Sequence, residues 1–426
     1  MTTPRRIGSP YQAVCVCGGY GFPISASAAR IIRVGKMLQE AGIAFHVLHC
    51  GPSPIAINKE NSGVSEGISF QYTTSSKRPN NKIARVLLYV WALVGLTLHL
   101  VRLWPARRSS AIYLYVMDGP LNLYVGVLCQ VLRLPIVQEL CEWFGDLPTC
   151  SAFNKWLYKK RLLNTATGAL VISKAIERRV RERCARANTD LLIHRLPVVV
   201  DAERFAGASP LTVSDSGKEV PNFVYCGTWP EDVLFLIRAF AFVRRKGYEC
   251  KLTIIGQCGE RNRALVFDCI RNEGLSAEDV TVAGVVDEGT LQSSYKSAVA
   301  LLMPLHDDAQ SVRRLPNKMG EYLASGRPVV TTKVGDLTEF LTNDVNAYVG
   351  EPGTDRDFAE EMIAVLRDLD RAAQIGRAGQ LACFMYLDYR AHASGLVDFF
   401  VRCIRHSKDI VPFRNDSNVP VSTTTR

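Results

Sequence analysis

The feature that most constrains this chain is a repeated unit: a short apolar run, a turn, then a helical stretch. Ala13 to Cys17 is the first apolar run. Gly18, Gly19 and Gly21 follow, and then a stretch from Ser25 to Ala41 in which Ala29, Ile32, Leu38 and Ala41 fall at helical spacing. Phe45 to Leu48, Ala111 to Tyr115, Ile136 to Glu139 and Ala169 to Ile172 continue the series. Such alternation predicts a parallel sheet with helices on both faces. It pauses over residues 201–221, which are poor in large apolar residues and rich in Ser, Gly and Pro, and read as a linker. It restarts with Asn222 to Cys226, a helix from Val233 to Arg245, and strands at Lys251 to Ile255, Val280 to Ala283, Ala298 to Met303 and Pro328 to Thr332.

The expected fold is therefore α/β: two doubly wound, Rossmann-like domains facing a cleft. Residues 1–200 form the first, with a helix at about 385–405 packing back on it, and residues 222–384 form the second. The polar segment 406–426 is expected to be disordered. Ligands of doubly wound sheets bind at the carboxyl ends of the strands, so the cleft is the expected site.

Composition narrows the partners. With 47% hydrophobic and 22% charged residues, the chain can bury sizeable cores. Its net charge of +10 suits anionic ligands. Nucleic acid is not expected, because no zinc-finger spacing occurs and the cations are spread rather than striped. The 13 cysteines include no C-x-x-C pair and several lie in apolar runs, as Cys129 does, so they read as reduced core residues of a cytoplasmic protein. The N-terminus carries no clear secretory signal. Val86 to Val101 is an apolar run of 16 residues flanked by Lys82, Arg85, Arg102, Arg107 and Arg108. Three readings stay open for it: a core helix, a helix lying in a membrane interface, and a span, for which ~20 residues are usual. Peripheral contact with the inner face of a membrane through residues 82–108 is the partner expectation.

The most informative segment is LPNKMGEYLASGRPVVT, Leu315 to Thr331. Pro316 and Asn317 can start a helix, Gly326 can end it as the residue after the cap, and Pro328 opens the next strand. Lys318 and Glu321 then share one face. The helix start, with its free N–H groups and Lys318, suits a diphosphate, and Glu321 is one turn further in, where it can accept two ribose hydroxyls. Alone, the segment also reads as an ordinary helix–Gly–strand connection. Asp307 and Asp308 form half of an acidic metal motif but favour the loop reading. His306 beside them reads first as a polar loop residue. Gly18-Gly19-Tyr20-Gly21 is a fragment of a dinucleotide pattern, and Val47-Leu48-His49-Cys50 lacks the acidic residue that NAD binding needs.

Lys318-x-x-Glu321-Tyr322-Leu323-Ala324-x-Gly326-x-Pro328-Val329-Val330 resembles the donor-site signature of glycosyltransferase family 4, retaining enzymes of the GT-B fold. Val171 to Ser173, Leu196 to Phe205, Phe223 to Phe240, Lys251 to Gly256 and Val282 to Gly284 resemble further segments of that family in the same order, over nearly all of residues 12–400. The resemblance implies that Glu321 holds the donor ribose and Lys318 its diphosphate. It also implies that Gly19 and Gly21, in the turn Gly18 to Gly21, approach the donor phosphates or the acceptor, that Gly227 lines the donor site, and that no metal is needed. Three positions depart from it. Arg313 stands where the family commonly has a second Glu. Pro230, Glu231 and Asp232 stand where it has a Lys. Gln138-Glu139-Leu140-Cys141-Glu142-Trp143 lacks its His. Arg313 and Arg314 are then expected to clamp the diphosphate. Glu142 or Glu139 is expected to face the acceptor or the sugar, which makes Glu142 and Glu321 the catalytic candidates. The implied activity is metal-independent, retaining transfer from a UDP-sugar first, or a GDP-sugar second, to a lipid-linked or polysaccharide acceptor in cell-envelope assembly. Two rivals remain: a nucleotide-sugar epimerase on the same fold, and a degenerate transferase that binds a membrane or partner.

Overall fold

A computed structural model describes residues 9–406 apart from 20, 56–57, 117, 144, 146–149, 161–162, 208–219, 228–229, 258, 309–310 and 314. Most of the 201–221 linker and nearly all of the 406–426 tail lie outside the described residues, as does Arg314.

The first half builds an eight-stranded sheet from β1 (Gln12–Gly18), β2 (Ala44–His49), β3 (Ser62–Ser65), β4 (Ile68–Tyr72), β5 (Ser110–Val116), β6 (Ile136–Leu140), β7 (Gly168–Val171) and β8 (Leu192–Arg195), in the order β3-β4-β2-β1-β5-β6-β7-β8. Every pairing is parallel except the β3–β4 hairpin. The helices that return the chain are α1 (Ala26–Glu40), α2 (Lys82–Arg102), α3 (Gly119–Leu132), α4 (Ala152–Lys160) and α5 (Lys174–Ala187). Their starts are set locally: Ser25, Asn81, Asp118 and Ser173 each accept a hydrogen bond from an amide of the first turn.

The second half builds a six-stranded parallel sheet from β9 (Asn222–Cys226), β10 (Lys251–Ile255), β11 (Val280–Gly284), β12 (Ala300–Met303), β13 (Val329–Thr332) and β14 (Tyr348–Gly350), in the order β11-β10-β9-β12-β13-β14. Around it pack α7 (Pro230–Arg245), α8 (Glu260–Asn272), α9 (Glu288–Ser297), α10 (Asn317–Ala324), α11 (Asp355–Arg367) and α12 (Leu369–Tyr386), while α6 (Ala202–Phe205) sits in the connection between the sheets. Strands such as β5, β7, β12 and β13 are buried along their whole length, because helices cover both faces. The expected α/β architecture with two doubly wound sheets is therefore what the chain forms. The sequence pattern did not mark β3, β4, β8 or β14. Ser62–Ser65 is an exposed edge strand and Leu192–Arg195 a half-buried one, and neither has an apolar run longer than two residues.

The chain crosses between the halves twice, side by side. Val200 donates to Leu387 O (2.9 Å), Tyr389 donates to Val200 O (3.0 Å), and Asp388 accepts from the amide of Ala202 (3.0 Å). After this crossing α13 (Tyr389–His406) returns to the first sheet, where Phe399, Phe400 and Cys403 join the core around Ala111 and Tyr113. One apolar cluster is shared by both halves: Val171, Ile176 and Phe205 pack with Val224, Met319 and Tyr322.

Helix α2 settles part of the open reading of residues 86–101. It is long and apolar enough to cross a membrane by length and composition. It is not a core helix: Ala92, Leu96 and Leu100 are its buried residues. These pack with Val14, Val16, Ile112 and Leu114 of the sheet.

Candidate functional site

In each sheet the chain winds outward in both directions from a central strand pair, and the gap above that pair is where a doubly wound sheet receives ligands. In the second sheet the pair is β9 and β12, because β10 lies on one side of β9 and β12 on the other. In the first it is β1 and β5. Contacts show that the two carboxyl edges face each other. Ser173, just past β7, donates to Arg313 O (2.7 Å), the amide of Lys174 donates to Asp336, and Lys174 pairs with Glu339 (3.0 Å). Arg204 of α6 also bridges the halves, reaching Glu66 in the β3–β4 turn at the amino end of β4 (2.9 Å) and Glu288 at the start of α9. Burial alone would raise the carboxyl of Glu66, but hydrogen bonds from Lys36 and Arg33, with the charge of Arg204, hold it down to about 2.

The floor of the site in the second sheet forms where β9 ends. Gly227 donates to Ile255 O (2.9 Å), and Gly256, after β10, holds φ +139°, a conformation open to glycine. A Cβ on Gly256 would overlap Gly227 O, so two glycine turns stack at closest approach. A Cβ on Gly227 would overlap the Tyr225 hydroxyl and lie 3.0 Å from Nζ of Lys318, so this glycine serves close packing at the end of β9. That ammonium sits 4.2 Å above the ring of the buried Tyr225. The hydroxyl of Tyr225 donates to Asp232 (3.1 Å), and His306 Nε2 lies 3.4 Å from the other Asp232 oxygen, edge-on to Phe235. Asp232 thus anchors a tyrosine and faces an imidazole. Asp308 is occupied by the amide and hydroxyl of Ser311 (2.9 and 2.8 Å), so it caps the short turn Ser311–Arg313.

Helix α10 begins with Pro316 as its cap and ends at Ser325, with Gly326 at φ +77°, as its sequence predicts. The turn before it carries Arg313, and its first residues carry Lys318 to the end of β9. Glu321, one turn on, receives a long hydrogen bond from the Tyr295 hydroxyl (3.5 Å). Burial raises its carboxyl to about 7, only partly offset by that hydroxyl and by the charges of Arg204 and Arg33. A half-buried carboxylate shifted this way, at a sheet's ligand-binding edge, marks a candidate functional group. Tyr295 is itself packed between Phe205 of the hinge and Tyr322, whose hydroxyl accepts from the amide of Cys226 (2.7 Å).

Gly227, Lys318 and Glu321 are therefore brought together at the end of β9, with Arg313 at the entry to α10. On the facing wall, Gly19 at the end of β1 has φ +81°, and the space on its Cβ side is open for 4 Å. Gly21 differs: its Cβ direction is filled by the side chains of Asn58 and Ile55, so this glycine serves packing of the loop beneath. Glu142 lies just past β6, half-buried, next to Trp143, over whose ring Arg179 stacks at 4.4 Å. Glu139 corrects an expectation. It does not face the cleft. Successive residues of β6 point to opposite faces, so Gln138 pairs with Asn122 of α3 (2.8 Å). Glu139 is buried on the other face against Arg30 of α1 (3.1 Å) and Tyr113 (2.5 Å). Ser173, Tyr295 and Arg204 escaped the sequence reading. Their importance comes from partners more than 80 residues away for Ser173 and Arg204, and from packing alone for Tyr295.

Two facing doubly wound sheets with a shared hinge and a returning C-terminal helix define the GT-B fold, and solved structures of that fold match over nearly the whole chain. Sucrose-phosphate synthase from Thermosynechococcus elongatus superposes with a TM-score of 0.69 at 15% identity, covering 92% of this chain and 98% of that one. HepE from Anabaena in complex with UDP-glucose gives 0.68 at 13% identity, covering 91% and 99%. The α,α-trehalose-phosphate synthase (UDP-forming) from Burkholderia vietnamiensis gives 0.63 at 12%, covering 94% and 98%. More narrowly, residues 220–368, the second sheet with Gly227, Lys318 and Glu321, match the family model Glycosyl transferases group 1. No curated protein sequence matches the chain.

Proposed function

We propose that this protein is a glycosyltransferase that moves a sugar from a nucleoside-diphosphate donor, UDP-linked first and GDP-linked second, to a glycan or lipid-linked acceptor. The observation that carries the reading is the convergence of Gly227, Lys318 and the start of α10 on one spot, with Glu321 one turn behind. Gly227 and Gly256 let the two turns pack on each other and on the Tyr225 hydroxyl, which holds the end of β9 beside Lys318, and the free amides of α10 with Lys318 supply positive charge. Glu321 is set to accept ribose hydroxyls. Breaking the bond between the anomeric carbon and the donor diphosphate leaves negative charge on the diphosphate, and these groups stabilise it where it develops. Arg313 adds a cation at the same entry, and Arg314, outside the described residues, adjoins it. The first sheet, through Gly19 and Glu142, supplies the acceptor wall.

The match of residues 220–368 to the group 1 glycosyltransferase family supports this reading. So does a shared fold with HepE, whose structure was solved with UDP-glucose. Retention of the anomeric configuration, independence from metal and residence on the cytoplasmic side of a cell-envelope pathway complete the proposal.

The test is a screen of UDP- and GDP-sugars with the purified chain and membrane extract, reading nucleotide release, with and without chelator. Release of one nucleotide, dependent on extract and unchanged by chelator, is the expected outcome. Isomerisation of a donor without acceptor, or no nucleotide binding by calorimetry, would overturn the proposal.

A further inference from the structure

Helix α2 carries two apolar stripes. The inner one, Ala92, Leu96 and Leu100, is buried in the core of the first sheet. The outer one points away from it. Leu87, Val90, Val94 and Leu98 recur at helical spacing on the solvent side, and Leu87 and the adjoining Trp91 are 65% and 67% exposed. Just past the helix Trp104, half-exposed, extends the patch. Isolated exposed apolar residues are ordinary, but a row of this length on one helix marks a docking surface.

The charges around the row choose its occupant. From Gly67 to Met117 the chain has seven cationic side chains and no Asp or Glu: Lys77, Arg78, Lys82 and Arg85 before the stripe, and Arg102, Arg107 and Arg108 after it. Both ends of the helix are therefore positive. Two copies paired face to face along this stripe would set cations against cations at both ends, with no acid in the segment to relieve them. An anionic lipid surface offers the opposite: phosphate for both collars and acyl chains for the row between them. A span is ruled out by packing. The inner stripe is held in the core, and a Cβ on Gly95 would lie 2.6 Å from Thr73 O, so α2 rests directly on the backbone beneath it.

We propose that α2 seats the protein on an anionic membrane, lying in the plane of the interface. At 1.5 Å per residue the helix covers about 31 Å of that plane. Tyr89 of α2 donates to Asp118, just past the carboxyl end of β5 (3.3 Å), so the first half of the seated helix lies beside the carboxyl edge of the first sheet. Taken with the glycosyl-transfer reading, on which this last point rests, the geometry delivers an acceptor anchored in the same lipid.

The test is co-sedimentation of the full chain with vesicles of phosphatidylcholine alone or with one third phosphatidylglycerol, at low and high salt. Trp91→Glu with Leu98→Glu, and Arg102→Glu with Arg108→Glu, are compared with wild type. Thermal unfolding checks that each variant folds, as expected for exposed positions. Wild type is expected to bind the anionic vesicles at least about tenfold better than the neutral ones, and less so in salt. Each double variant is expected to lose about tenfold or more. Equal binding to both vesicles, unchanged binding of either variant, or a dimer in place of vesicle binding that Trp91→Glu abolishes would overturn the proposal. No donor or acceptor enters the measurement, so its failure leaves the donor site standing and failure of the donor screen leaves the docking surface standing.

Discussion

Glu321 offers the sharpest test of the site, because the structure makes it costly as well as useful. Its carboxyl is raised from 4.5 to about 7, first by burial. At about 1.4 kcal/mol per unit, that difference is on the order of 3 kcal/mol. The folded state holds this proton more tightly than the unfolded chain does. The stability linked to it is therefore complete below pH ~4.5 and is lost as pH rises through about 7. Glu321→Gln cannot ionise and keeps a carbonyl for the Tyr295 hydroxyl. It is expected to match wild type near pH 4.5 and to exceed it by on the order of 2–3 kcal/mol at pH 8. Urea unfolding at both pH values reads the difference. A stability difference that does not change with pH would refute the burial argument. The same variant is expected to bind UDP about ten- to a hundredfold more weakly, since hydrogen bonds to a charged acceptor are worth about 1.5–3 kcal/mol. A gain in stability with a loss of ligand is the signature of a group retained for function. Unchanged UDP affinity would remove Glu321 from the donor site.

Three further outcomes follow from the same geometry. Lys318→Ala is expected to weaken UDP binding at least about tenfold, with a shallower salt dependence, by calorimetry, and unchanged affinity would unseat the diphosphate from the start of α10. Gly256→Ala forces φ +139° on a residue with a Cβ that overlaps Gly227 O, and is expected to cost on the order of 2 kcal/mol or more in unfolding experiments, together with UDP affinity. Arg30→Met leaves Glu139 buried beside Tyr113 without its cation, and the carbonyls of Leu196 and Pro197 without their donor, and is expected to cost about 3–5 kcal/mol, only the Glu139 share of it recovered in the Arg30→Met, Glu139→Met pair, and no recovery in the pair would show that Glu139 is solvated after all.

The sequence carried the elements whose causes are local. Strands β1, β5, β9 and β12 announce themselves as apolar runs. Helix α10 is bracketed by Pro316 and Gly326, so its boundaries and the shared face of Lys318 and Glu321 could be read before any fold was known. Edge strands β3 and β8 could not be read, because β3 is exposed and β8 only half-buried, so apolar patterning is not required of them. Glu139 was misread for a related reason: a carboxylate at the end of an apolar run looks like a site residue until the face it points to is known.

What the sequence determined by itself is the double α/β alternation, the helix start that can receive a diphosphate, and an apolar stretch with cations at both ends. Those follow from period, cap and charge, which act over a few residues. Only the tertiary structure decided which groups meet. It set Lys318 over Tyr225 beside Gly227, put Tyr295 against Glu321, and joined Ser173 to Arg313 across the cleft. It turned one stripe of α2 inward and left the other in the open. These outcomes depend on how two sheets pack and where the hinge at Val200 and Asp388 brings them together, and nothing local in the chain encodes that.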